Sequence, residues 1–180
     1  ELYVASDNSR GDYPRFYRQL EKKLNREQRK LSKMMKGSNN YRKQKYKVAK
    51  VHEKIANSRK DYLHKTSHQI ANEVDGVCVE DLNMQSMSKS MHFGKSVHDN
   101  GYGLFLNMLS YKLERQGKKL IRIDKFYPSS KTCSCCGYIK KELKLSDRIY
   151  ECPQCGMVLD RDYNASINIK REGMRLASIH

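Results

Sequence analysis

The chain has no tryptophan, only four phenylalanines, and no apolar run approaching the roughly 18 residues a membrane helix requires. A membrane span is therefore excluded, and the missing tryptophan argues against a helix lying on lipid. Acids are scarce as well: 20 Asp and Glu against 36 Lys and Arg leave a formal net charge of +16. No secretory leader pattern of charged, apolar and small-residue regions opens the chain. It begins instead at Glu1 with a strand-like Leu2-Tyr3-Val4-Ala5, and this start reads as a chain cut from a longer protein. At roughly 150 residues per domain, 180 residues predict one medium domain, alone or with a small appendage, and a real core.

The positive charge is concentrated. Residues 15 to 65 hold 18 Lys and Arg against the four acids Glu21, Glu27, Glu53 and Asp61, which is +14 of the total. Within this stretch Phe16, Leu20, Leu24, Leu31 and Met35 recur at helical spacing, as do Val48, Val51, Ile55, Tyr62, Thr66 and Ile70. The turn formers Lys36-Gly37-Ser38-Asn39-Asn40 separate the two runs, so residues 14–70 predict an antiparallel helical hairpin, with Pro14 suited to its first turn. A charge run is usually a solvated helix face, but an imbalance this large repels itself unless it meets phosphate. Lys22, Lys23, Arg26, Arg29, Lys30, Lys33 and Lys43 are the candidates for nucleic-acid contact, in a salt-dependent mode.

Four of the six cysteines form Cys133-Ser134-Cys135-Cys136 and, fifteen residues later, Cys152-Pro153-Gln154-Cys155. Two C-x2-C pairs at that separation have zinc-ribbon spacing, with Cys133, Cys136, Cys152 and Cys155 as ligands of a structural Zn2+ and Cys135 as a possible substitute for Cys136. Gly137 and Gly156 follow the two pairs and supply the backbone freedom of tight turns. Disulfides are the competing reading, but a lysine-rich chain without a leader favours reduced thiols. Cys78, inside the apolar Val77-Cys78-Val79, reads as a small buried hydrophobe.

Val74 to Leu82 is a β-branched run with acids at its end, Leu120 to Asp124 repeats that form, and Tyr102, Phe105, Leu109 and Leu113 mark a helix between them. Strand, helix, strand predicts an α/β unit with a parallel pair, in which sites collect beyond the carboxyl ends of strands, where Glu80 falls. A second acidic motif, Asp160-Arg161-Asp162-Tyr163-Asn164-Ala165, opens a helical run. An acid there is usually a cap. Taken with Glu80 it could instead hold divalent ions, and two such ions clamp the attacking and leaving oxygens of a phosphodiester. None of the six histidines has convincing ligand spacing.

Three stretches together resemble the transposon-encoded TnpB (OrfB) proteins: Val79-Glu80-Asp81-Leu82-Asn83 with Met87, Tyr127-Pro128-Ser129-Ser130-Lys131-Thr132-Cys133, and Asp160 to Ile169. The basic hairpin is similar in place and texture. The resemblance implies a RuvC-like (RNase H-like) α/β sheet lacking its first strand, over residues 1–126 and 158–180, with the hairpin at 14–70 and an inserted zinc ribbon at 127–157. It implies cleavage of DNA directed by a guide RNA, Mg2+ or Mn2+ as the catalytic metal, and a bacterial or archaeal cytoplasmic protein associated with the nucleoid. By position Glu80 and Asp162 match two catalytic, metal-holding acids, with Asp160 the less favoured neighbour. The loop from Ser86 to Lys89 and the segment from Tyr127 to Lys131, Lys131 in particular, would approach nucleic acid.

Two departures accompany the resemblance. Leu2 to Asp7 looks like the family's second strand, so the first catalytic Asp would lie upstream of Glu1, and the isolated chain is expected to be inactive. Ser166 replaces the usual Ala. The competing reading is a zinc-ribbon nucleic-acid-binding module, or a degenerate remnant, without catalysis. A strand-joining recombinase would need a nucleophilic Ser or Tyr, and neither Tyr127 nor Tyr163 has a fitting setting.

Overall fold

A computed structural model describes residues 1–82, 101–144 and 146–178. The loop expected at Ser86 to Lys89, and all of the Gln85 to Gly103 stretch before Gly101, lie outside them. The chain forms two compact units, one from residues 1–13, 70–82 and 109 onward, the other from 14–69 and 101–108.

The hairpin belongs to the second unit. Helix α1 (Phe16–Ser32) starts behind Arg15, whose φ of 52° turns the chain sharply and leaves Pro14 one residue outside the helix rather than in its first turn. Helix α2 (Asn39–Glu73) is capped by Ser38, whose Oγ accepts the Tyr41 N–H at 3.1 Å. Leu24, Val48, Val51 and Ile55 form the buried seam, with Phe16, Tyr17, Leu20 and Leu31 packed against it.

Two expectations for this seam need correction. Met35 is 78% exposed, because it falls in the turn and not on α1. Beyond Ile55 the buried residues are Leu63, Ser67 and Ala71, whereas Tyr62, Thr66 and Ile70, the expected stripe, are not fully buried. Ser67 and Ala71 carry little apolar bulk, so the face they define escapes a search for large hydrophobes; Ser67 removes its own polar cost by donating to Leu63 O at 2.6 Å.

The expected strand, helix, strand is present, with both strands in the first unit. Strands β3 (Gly76–Glu80) and β4 (Lys119–Ile123) pair in parallel from Gly76↔Lys119 to Glu80↔Ile123. Helix α3 (Tyr102–Arg115) precedes β4 and buries Phe105, Leu109 and Leu113. Helix α4 (Arg161–Ala177) packs across both strands. Leu2 to Asp7 does not join this sheet among the described residues. Only Tyr3–Val4 is extended, as β1, and it pairs antiparallel with β2 (Arg10–Gly11). The reason is local: Asn8 takes a left-handed φ of 66° and Asp7 accepts the Ser9 N–H at 2.8 Å, so the chain reverses before a longer strand can form.

Candidate metal centre and carboxylate site

The two cysteine pairs fold into matching turns. After the first, Gly137 N–H donates to Cys133 O at 3.0 Å and Cys133 N–H to Tyr138 O at 2.8 Å; after the second, Gly156 N–H donates to Cys152 O at 3.0 Å and Cys152 N–H to Met157 O at 2.9 Å. Both turns need a positive φ, 78° at Gly137 and 72° at Gly156, which a residue without Cβ adopts freely. Strand β5 (Ile149–Glu151) pairs antiparallel with β6 (Val158–Asp160) beside the second turn. Tyr150 is fully buried against Cys133 and Cys152 and donates its hydroxyl toward Lys131 O at 3.1 Å. Burial first, then the charge of the surrounding thiolates, pushes its phenol up to about 12.

The Sγ atoms of Cys133, Cys136, Cys152 and Cys155 lie within 4.8 Å of one another, with Cys133–Cys155 at 3.7 Å and Cys136–Cys152 at 3.6 Å. A tetrahedron of thiolates with metal–sulfur bonds of about 2.3 Å has edges of about 3.8 Å, so the four fit a metal ion such as zinc. Cys135 is exposed and is not one of the four thiols that converge, whereas Cys136 is. Four sulfurs leave no open coordination position, so an ion held here supports structure.

The acids occupy the first unit. Glu80 ends β3, is half-buried, and its Oε1 accepts a hydrogen bond from Ser129 Oγ. Asp162 sits in the first turn of α4, its side chain 45% exposed, with Oδ1 3.3 Å from Arg161 Nη2. Asp160 is the helix cap: its Oδ1 accepts the Asp162 and Tyr163 N–H groups at 3.1 and 3.0 Å and lies 3.2 Å from Arg10 Nη2. Burial works against the Asp160 carboxylate, but the Tyr163 amide, Arg10 and the Asp162 amide together hold its pKa below the usual range. The ordinary reading of an acid at a helix start thus accounts for Asp160 and leaves Asp162 unassigned to that task. Among the described residues, the cysteine set is the one group of three or more potential ligands that converge.

Three residues missed by sequence reasoning bind the segment between these features. Asn164 Oδ1 accepts the Ser134 N–H at 2.9 Å while its Nδ2 donates to Thr132 O at 2.8 Å. Asn168 Nδ2 donates to Ser129 O at 2.9 Å and Thr132 O at 2.7 Å, and Arg171 Nη1 donates to Ser134 O. Asn164 and Asn168 are four apart and both buried, so one face of α4 grips residues 129–134; two asparagines at that spacing on one helix were the available signal. Ser166, where Ala was expected, has its Oγ 2.7 Å from Tyr163 O and 3.1 Å from Ala5 O, so its hydroxyl is satisfied.

In the hairpin unit Lys22, Asn25, Arg26, Arg29, Lys30 and Lys33 line one shallow groove of about 430 Å³ along α1. Lys23 and Lys43 are exposed but outside it. Glu27 lies beneath, its Oε1 3.2 Å from Arg26 Nε and 3.3 Å from Lys30 Nζ, and its Oε2 accepting from Gln44 Nε2 at 2.8 Å. The Gln44 bond first, then Lys30 and Arg26, outweigh burial and lower the Glu27 pKa to about 2. Lys131 is half-buried and donates to Lys141 O at 3.3 Å, within the ribbon. Among the described residues no helix is long and apolar enough to cross a membrane.

Comparison with known proteins agrees with this architecture. The probable-transposase family OrfB_IS605 matches residues 1–91, and the Cas12f1-like TNB domain matches residues 102–169. A Streptomyces pristinaespiralis protein named "Putative RNA-guided DNA endonuclease" is 37% identical over 173 residues, covering 96% of this chain and 43% of that protein. TnpB-like protein L79 of Acanthamoeba polyphaga mimivirus is 35% identical over 134 residues, 71% of this chain and 25% of its own length. Among solved structures, the Cas12f1 chain of a Cas12f1–sgRNA–target DNA complex superposes with a TM-score of 0.60 at 22% identity, covering 90% of this chain and 44% of that one. That likeness shows that the two chains share a general fold over the matched residues. The chain spans less than half the length of the relatives it matches.

Proposed function

The chain belongs to the TnpB/OrfB family of probable transposases, and on that premise we propose that it is the C-terminal nuclease portion of a protein that cuts DNA under the direction of a guide RNA. Glu80 and Asp162 are its catalytic acids in this reading. The observation that supports it best is their placement: one carboxylate at the C-terminal end of a parallel strand, the other in the first turn of the helix packed on that strand. Such a pair offers the hard oxygen donors that Mg2+ or Mn2+ prefers. Divalent ions bound there would stabilise charge on the attacking and leaving oxygens of the phosphodiester.

The remaining residues bind and position. The cationic groove on α1 engages phosphates of DNA or guide RNA. Lys33 lies eleven positions after Lys22, about 16 Å along the helix axis, a length over which one strand of a duplex presents about five phosphates. The ribbon at 127–157, with zinc as its ion, includes the segment 129–134 that α4 holds and that meets Glu80 through Ser129, and Lys131 contributes to nucleic-acid contact from there. The expected setting is the nucleoid of a bacterial or archaeal cell.

A second reading, a binding module without catalysis, is favoured by one observation: carboxylates do not converge in threes among the described residues. The full-length protein with its guide RNA and Mg2+ separates the two. Loss of target cutting in Glu80→Ala and in Asp162→Ala, with guide binding retained, is expected. Undiminished cutting by both variants overturns the nuclease reading.

A further inference from the structure

We infer that Ser129 is a positioning residue that fixes the Glu80 carboxylate for metal binding and ties that carboxylate to the ribbon; the inference rests on the nuclease reading above. Ser129 is 4% exposed and lies 49 positions from Glu80, yet its hydroxyl is directed at Glu80 Oε1. A backbone acceptor is the commoner choice for such a hydroxyl, and Thr132, three residues on, makes it, donating to Pro128 O at 2.8 Å. Ser129 donates to the carboxylate instead, which takes one acceptor site of Oε1, fixes the plane of the carboxylate and leaves Oε2 outside this bond.

The serine is itself held. Asn168 takes Ser129 O, Asn168 and Asn164 share Thr132 O, and Asn164 takes Ser134 N–H, one residue after ligand Cys133. A continuous chain of hydrogen bonds therefore runs from Glu80 through Ser129 to α4, the helix that carries Asp162, and to the first cysteine turn. Groups hydrogen-bonded to a metal ligand restrict its rotamers before the ion arrives, and removing them typically weakens metal affinity about 10- to 100-fold.

The test compares Ser129→Thr with Ser129→Val, which differ by a hydroxyl and not by shape, and adds Ser129→Ala in case branching is not tolerated. Mn2+ binding to the full-length protein is read from the electron paramagnetic resonance of free Mn2+, with Tm and guide-RNA binding as controls. Thr is expected to bind like wild type, while Val and Ala bind about tenfold or more weakly at unchanged guide affinity. Equal Mn2+ binding by Ser, Ala and Val proteins overturns the inference. So does weakened binding that tracks a fall in Tm in every variant, Thr included. If Glu80→Ala also leaves Mn2+ binding and cutting intact, the nuclease reading has failed; if Glu80→Ala abolishes both and the Ser129 variants do not matter, only this inference has failed.

Discussion

Gly173 on α4 lies directly over Cys78 on β3: a Cβ at position 173 would come within 2.1 Å of Cys78 Sγ and 2.5 Å of its Cβ. No other residue allows the helix this approach to the strand that ends in Glu80. Gly173→Ala should gain up to about 1 kcal/mol of helix propensity but lose about 1–3 kcal/mol to overpacking, a net destabilisation visible as a lower urea midpoint. Cys78→Ala in the same chain should recover only part of the loss, because the Cβ contact remains. Burial raises the Cys78 thiol pKa, in keeping with a packing role.

Acid should weaken the hairpin through Glu27. Its pKa is about 2 in the folded chain against an ordinary 4.5, so folding favours the carboxylate. That contribution is complete above about pH 4.5 and disappears as the pH falls toward 2. Protection of the Leu24 and Val48 amides, taken relative to the intrinsic exchange rate at each pH, should fall across this window, and Glu27→Gln should flatten the dependence.

Removing the ribbon's ion should unfold it locally. One equivalent of zinc is expected in the purified protein, and a chelator should release it with loss of protection around Tyr150, whose buried contacts are to Cys133 and Cys152. Cys152→Ser should do the same, while Cys135→Ser should retain the metal. Zinc content by atomic absorption checks all three.

Salt should expose the role of the α1 groove. Lys22, Arg29 and Lys33 lie outside the Glu27 ion pairs, so replacing each by Ala should weaken nucleic-acid binding regardless of sequence and reduce the salt slope by about one. Arg26 and Lys30, already partly neutralised by Glu27, should change it less. Filter binding across a salt series measures the slopes.

The legible parts of this molecule are those where chemistry fixes spacing. A four-thiolate site constrains its cysteines along the chain, and β-branched runs ending in acids mark β3 and β4. The hairpin was readable while its seam used large side chains, and became unreadable at Ser67 and Ala71. Contacts such as Gln44–Glu27, Asn168–Ser129 and Ser129–Glu80 join polar residues 17, 39 and 49 positions apart, and no periodicity announces them. The two-residue strand β1 was hidden by a turn at Asp7 to Ser9 that outweighed the extended tendency of Leu2 to Ala5.

Anomalous diffraction from crystals of the full-length protein soaked in Mn2+ bears most directly on the proposed chemistry. An anomalous peak within coordination distance of both the Glu80 and the Asp162 carboxylates is the predicted result. A peak that touches only one of them, or none at either while the crystal binds Mn2+ elsewhere, would contradict the account.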